Sequence, residues 1–125
     1  MNEQLASFHI GEIAGVPVLE VAGEIDISNV ADLQEHMERA VGRDKEALII
    51  SLTGTSYFDS RTVEELARMA ERLTVTRRRM AIVAPTASAS GKILRIAGLD
   101  QQIPMFESVE DAVNSETAPD EPLTT

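Results

Sequence analysis

The sequence predicts an α/β domain: a mixed, mostly parallel sheet of four to five strands packed with about four helices. Short apolar runs at 16–21, 47–50 and 80–83 are separated by segments of helical period. Ala47–Ile50 and Met80–Val83 are continuously apolar, as strands covered on both faces are. Hydrophobic residues make up 43% of a 125-residue chain, enough for one core. Such alternation implies right-handed crossovers between parallel strands.

Taken in order, Phe8 and Ile10 alternate with His9 and Gly11, Ala14-Gly15 is a turn signal, and a second run opens at Val16. The pair reads as an antiparallel hairpin, with Pro17 either marking an edge strand or lying near the strand start. From Asn29, the residues Val30, Leu33, Met37, Ala40 and Val41 fall on one helical face. Ser28 or Asn29 is placed to cap that helix, and Gly42 to end it. The strand at Ala47–Ile50 ends near Leu52, and 53–60 reads as a hydroxyl-rich loop. In the next helix Val63, Leu66, Ala67, Ala70 and Leu73 face inward, while Arg61, Arg68 and Arg72 face out. Glu64 and Arg68 stand four apart in the favourable order, and Arg77-Arg78-Arg79 suits the negative end of the dipole. A strand at Met80–Val83 precedes a helix over Ala89–Ala97 that stops at Gly98. Ile103–Phe106 is a short strand, and a last helix runs from Ser108, with Asp111 in a capping box, to about Asn114. The domain spans 5–115. Residues 116–125, with two prolines and three acids, are expected to form a solvated, disordered tail.

Composition excludes several kinds of chemistry. The chain lacks cysteine, and so has no disulfide, thiolate nucleophile or Cys-based zinc site. Its two histidines, His9 and His36, are far apart, which argues against a metal site. No phosphate-binding glycine loop, dinucleotide fingerprint or nucleophile elbow occurs. Asp26 and Asp59 stand alone in their loops, unlike the acid cluster with which a phospho-aspartate receiver holds magnesium. A binding protein with no cofactor and no metal, and not an enzyme, is the expectation. No run approaches the ~20 apolar residues of a membrane span. The start, Met1-Asn2-Glu3-Gln4, has no basic or apolar leader, so a cytoplasmic protein is expected.

Net charge is −10, and its distribution is uneven. Residues 1–53 carry ten acids and three bases; 98–125 carry seven acids and no base; 54–97 carry four acids and eight bases. Nucleic acid is therefore a disfavoured partner. The basic middle either balances charge within the molecule or forms a docking patch for an acidic partner.

Asp59, Ser60 and Thr62 crowd a helix N-terminus, where free N–H groups and the dipole favour oxyanions, phosphate included. They also suit plain capping, with Asp59 or Ser60 accepting from N–H groups and Thr62 forming a box with Glu65.

Gly23-Glu24-Ile25-Asp26 followed by Ser28-Asn29 and a helix resembles the opening of a STAS domain. So do the strand leading to Tyr57-Phe58-Asp59-Ser60, and the order Ile93–Asp100, Ile103–Phe106, Ser108–Ala112. The resemblance covers about 8–114 and is to free-standing anti-sigma factor antagonists. It implies a protein that binds an anti-sigma factor, usually also a serine kinase, and so releases a sigma factor. Phosphorylation at the second helix N-terminus would break that complex, and a phosphatase would restore it. It implies a partner surface of Asp26, Ser28 and Asn29 at one loop and Asp59, Ser60, Arg61 and Thr62 at the other. The family's usual Asp-Ser-Ser-Gly departs here: Arg61 stands at the acceptor and Thr62 at the glycine. Arginine takes no phosphate, so Ser60 and Thr62 are the acceptor candidates, unless the position is not used. A monomer or small homo-oligomer is expected; the alternative is a stressosome-type scaffold or another STAS signalling module that is not switched by phosphorylation at the usual position.

Overall fold

Ala14 and Gly15 both adopt positive φ, 52° and 80°, and close a two-residue hairpin turn. The computed structural model describes residues 5–117. The turn joins β1 (Ala6–Ile13) to β2 (Val16–Ile25), in register from Ala6↔Gly23 to Ile13↔Val16. There follow α1 (Val30–Val41), β3 (Ala47–Phe58), α2 (Ser60–Val75), β4 (Arg79–Val83), α3 (Ala89–Ile96), a 3₁₀ turn at Leu99–Gln101, β5 (Met105–Phe106) and α4 (Val109–Thr117). The sheet order is β1-β2-β3-β4-β5; only β1 runs antiparallel to its neighbour. The expected mixed, mostly parallel α/β architecture is what the chain adopts, with five strands and four α-helices among the described residues.

Side-chain alternation divides the sheet into two faces. Leu19, Val21, Leu48, Ile50 and Ile82 pack with Leu33 and Met37 of α1, Leu66, Met69 and Leu73 of α2, and Leu94 of α3. On the other face Val18, Ile49, Ala81 and Val83 pack with Ala112 and Val113 of α4. The central runs are apolar throughout because helices lie on both faces.

Of the two readings of Pro17, the position near the strand start holds: it is the second residue of β2, an interior strand, and is tolerated because the parallel ladder to β3 begins one residue later, at Val18↔Ile49. Several other local expectations are corrected. The stretch 53–58 is not a loop but the second half of β3. The β4 ladder stops at Ser51↔Val83, so beyond it β3 pairs only with β2 and its other edge is free. Polar residues suit that free edge, and Thr55 Oγ1 donates to the Leu52 carbonyl at 2.6 Å. Arg68 meets Glu65 at 3.3 Å rather than Glu64. The last helix continues through Glu116, whose carboxylate is 2.8 Å from Arg79, to Thr117. Two residues assigned to the tail are therefore helical, and 118–125 lie outside the described residues.

The basic segment is largely absorbed within the molecule. Arg68, Arg72, Arg79 and Arg95 meet Glu65, Glu38, Glu116 and Glu107, and Arg78 donates to the Gly42 carbonyl at 2.8 Å. Among the described residues, Arg61 makes no ion pair.

Candidate partner-docking face

Parallel strands put the loops that follow them at one end of the sheet. Ile25 of β2 and Phe58 of β3 are register partners, so the chain leaves both strands side by side at Asp26 and Asp59. Two register irregularities precede this point, and Glu20–Ile25 spans the same length of ladder as Ser51–Phe58. Bulges of this type add twist and re-aim the strand ends. Gly23 permits the approach of β1 here: its φ is +94°, and a Cβ would lie 2.2 Å from the Leu5 carbonyl oxygen. That same oxygen accepts from Glu24 N–H at 2.8 Å.

The β2–α1 loop is held by its own polar groups. Asp26 accepts from both the hydroxyl and the N–H of Ser28, the N–H at 2.8 Å. The Ser28 hydroxyl first, then its N–H, hold the Asp26 carboxyl below the ordinary aspartate range. Asn29 does not cap α1 through its side chain. Its Oδ1 accepts from Asp26 N–H at 2.9 Å and its Nδ2 donates to the Glu24 carbonyl at 2.9 Å, a clamp across the loop. Ile27, between these polar residues, is left 75% exposed.

At the second loop Asp59 is the N-cap of α2 and accepts from Thr62 N–H at 3.2 Å. The Thr62 hydroxyl also donates to Asp59, at 3.4 Å, and Thr62 is fully buried. Ser60 and Arg61 are exposed on the first turn of α2. The two acceptor candidates thus differ sharply in access: Ser60 faces solvent, and Thr62 is sealed beneath the cap. Glu65 is buried and held by Arg68 rather than by a capping box with Thr62.

Sequence reasoning missed the apolar component of this end. Beside Ile27, Tyr57 is 51% exposed, and Ile93 and Ile96 of α3 are 40% and 86% exposed. The signal was present in α3: Leu94 is buried, and Ile93 and Ile96, three apart, form a second apolar face that one contact with the sheet cannot cover. His9 and His36 take no part. His9 is exposed on β1, and His36 stacks on Phe8 with ring centroids 4.5 Å apart. Among the described residues no group of acids and histidines is arranged to hold a metal, and no helix is long and apolar enough to cross a membrane.

The fold and this face define a small α/β domain with Asp26, Asp59, an exposed Ser60 and a cluster of exposed apolar side chains at the carboxyl end of its sheet. Residues 8–112 match the model of the STAS domain, and the chain belongs to that family. The anti-sigma-F factor antagonist RsfB of Mycobacterium tuberculosis is 29% identical over 99 residues, which span 79% of this chain and 80% of that protein. The crystal structure of an anti-sigma factor antagonist from Mycobacterium paratuberculosis superposes with a TM-score of 0.79 at 24% identity, covering 88% of this chain and 92% of that one. The Bacillus cell fate determinant SpoIIAA in its phosphorylated form shares the fold at a TM-score of 0.67 and 18% identity, covering 88% of this chain and 99% of that one.

Proposed function

We propose that this chain is an anti-sigma factor antagonist that binds an anti-sigma factor through the carboxyl end of its sheet and so frees a sigma factor. One observation carries the reading. Two acid-bearing loops, an exposed serine at a helix N-terminus and four exposed apolar side chains share a single end of the molecule. Single exposed apolar residues are ordinary, but their gathering beside a polar rim is the anatomy of a protein interface. The relation to RsfB, over four-fifths of both chains, supplies the class of partner.

In this reading the partner is also a serine kinase, Ser60 is its acceptor, and a phosphatase reverses the reaction in the cytoplasm. Asp26, Asp59, Ser60 and Arg61 meet the partner with Ser28, while Asn29 and Thr62 hold the two loops in shape. A phosphate on Ser60 adds a charge of about −1.5 to −2. The helix terminus tolerates it, but Asp59 and Glu64 stand nearby, and its bulk on the exposed first turn of α2 would exclude a closely docked partner. The protein acts as a monomer or small oligomer.

The test uses the anti-sigma factor and sigma factor of the source organism as a purified complex. Adding this chain should release free sigma factor, and Ser60→Asp should not. With ATP, phosphate should enter Ser60; Ser60→Ala abolishes labelling, Thr62→Val retains it, and Arg61→Ser adds a second acceptor. An intact sigma complex at saturating antagonist contradicts the proposal, and labelling lost only in Thr62→Val contradicts the assignment of Ser60.

A further inference from the structure

Between the first two turns of α2 and the outer face of α3 runs an open groove of about 520 Å³. Phe58, Val63, Ile93, Ile96 and Ala97 form its apolar walls, and Ser60 lies on its lip. Its charged lining residues, Asp59 and Glu64, are both acidic, and neither forms an ion pair with a described residue. Resting on the functional reading above, we infer that this groove receives a segment of the anti-sigma factor that presents a large apolar side chain beside a lysine or arginine.

Three features select that occupant. Ile96 is 86% exposed on an otherwise ordered helix, a solvent exposure that a docked apolar side chain would relieve. The two rim acids, Asp59 capping α2 and Glu64, carry no cation of this chain's described residues; they favour a partner cation next to the apolar anchor and disfavour an acidic segment. The groove is also continuous with the docking face, because Asp59 and Ser60 belong to both. A second copy of this chain fits less well, since facing two such grooves would bring acidic rims together. The arrangement gives phosphorylation a local target: a phosphate on Ser60 stands on the lip of the groove, where its bulk obstructs entry of the partner's side chain.

The experiment is calorimetric titration of the purified anti-sigma factor with full-length wild type, Ile96→Asn, Glu64→Lys and Val75→Asn. Val75 is 78% exposed at the far end of α2, ~22 Å along the helix from Ser60, and serves as the control. Thermal melts of each variant establish folding; Ile96 is too exposed for its loss to unfold the domain. Truncating an interface anchor should weaken binding ~10-fold or more in Ile96→Asn. Glu64→Lys should weaken it as well, and Val75→Asn should stay within about twofold of wild type. Ile96→Asn binding within about twofold of wild type overturns the groove assignment and leaves the antagonist reading standing. No binding by wild type overturns the antagonist reading itself. A wild-type dimer in sedimentation that Ile96→Asn dissolves would assign the groove to a second copy and overturn the proposed occupant.

Discussion

Ile25 and Phe58 sit opposite each other on adjacent parallel strands, so Asp26 and Asp59 begin neighbouring loops at one end of the sheet. Neighbouring strands are ~4.8 Å apart, and residues 33 positions apart in sequence therefore act as one surface. Asp44, in the turn after α1, lies at the other end of the sheet, where β3 begins. This polarity underlies the functional account.

Gly23 sets how closely β1 approaches the end of β2, beside the β2–α1 loop. In Gly23→Ala the methyl would collide with the Leu5 carbonyl, 2.2 Å away, and the residue would keep a φ of +94°. Gly15, with φ +80° and open space around it, isolates the conformational part of that cost. Gly15→Ala should cost ~1–2 kcal/mol, and Gly23→Ala clearly more, because backbone must also move. Urea melts compare the two; equal midpoints would mean that the Leu5–Gly23 contact does not constrain the fold.

Leu66 is fully buried among α1, α2 and the sheet. Leu66→Ala should cost ~2–5 kcal/mol through lost burial and a cavity. Arg39→Ala, which removes an exposed pair with Glu35, should cost less than ~1 kcal/mol. Arg68→Ala should fall between them, at ~1–3 kcal/mol, because it strands the buried carboxylate of Glu65. Denaturant midpoints order the three; a Leu66→Ala no worse than Arg39→Ala would refute the packing of α2.

The order of elements and the inward stripe of α1 are legible in the sequence because burial imposes a period that side chains must obey. Leu33 and Met37, four apart, are both fully buried. The outline of α2 is legible too, but its buried set also includes Thr62, Glu65 and Met69. No hydropathy pattern marks Thr62, whose burial follows from its bond to Asp59. The extent of β3 is hidden because Thr53–Ser56 has loop composition, and only pairing with β2 makes it a strand. The apolar half of the proposed docking face escapes for a related reason. Whether Ile27 or Ile96 is covered depends on the neighbours that the fold supplies, and here it supplies none.

The Ser28 hydroxyl and, less strongly, its N–H lower the pKa of the Asp26 carboxyl. A carboxyl whose folded pKa is depressed adds stability above its unfolded value, about 3.9, and loses it as pH falls through the lower folded value. In Ser28→Ala the larger of the two lowering contacts is gone, so the Asp26 carboxyl should titrate at a higher pH than in wild type. Carbon-detected NMR titration measures it directly, with Ser7→Ala on β1 as an unaffected control. The difference in stability between wild type and Ser28→Ala that arises from this linkage should be present near neutral pH and vanish in acid below both pKa values. An unchanged Asp26 titration would mean that the Ser28 contacts are not held in solution.

The central claim is that the partner docks at the carboxyl end of the sheet, and charge reversal at the two ends tests it. Binding of the purified anti-sigma factor is measured by calorimetry with Asp26→Lys and with Asp44→Lys, each after a melt that shows the variant folded. Placing a cation in a docked interface should weaken binding ~10-fold or more, as like charges there cost several kcal/mol. The account predicts that loss for Asp26→Lys and binding within about twofold of wild type for Asp44→Lys. Equal weakening by both, or a larger loss from Asp44→Lys, would contradict it.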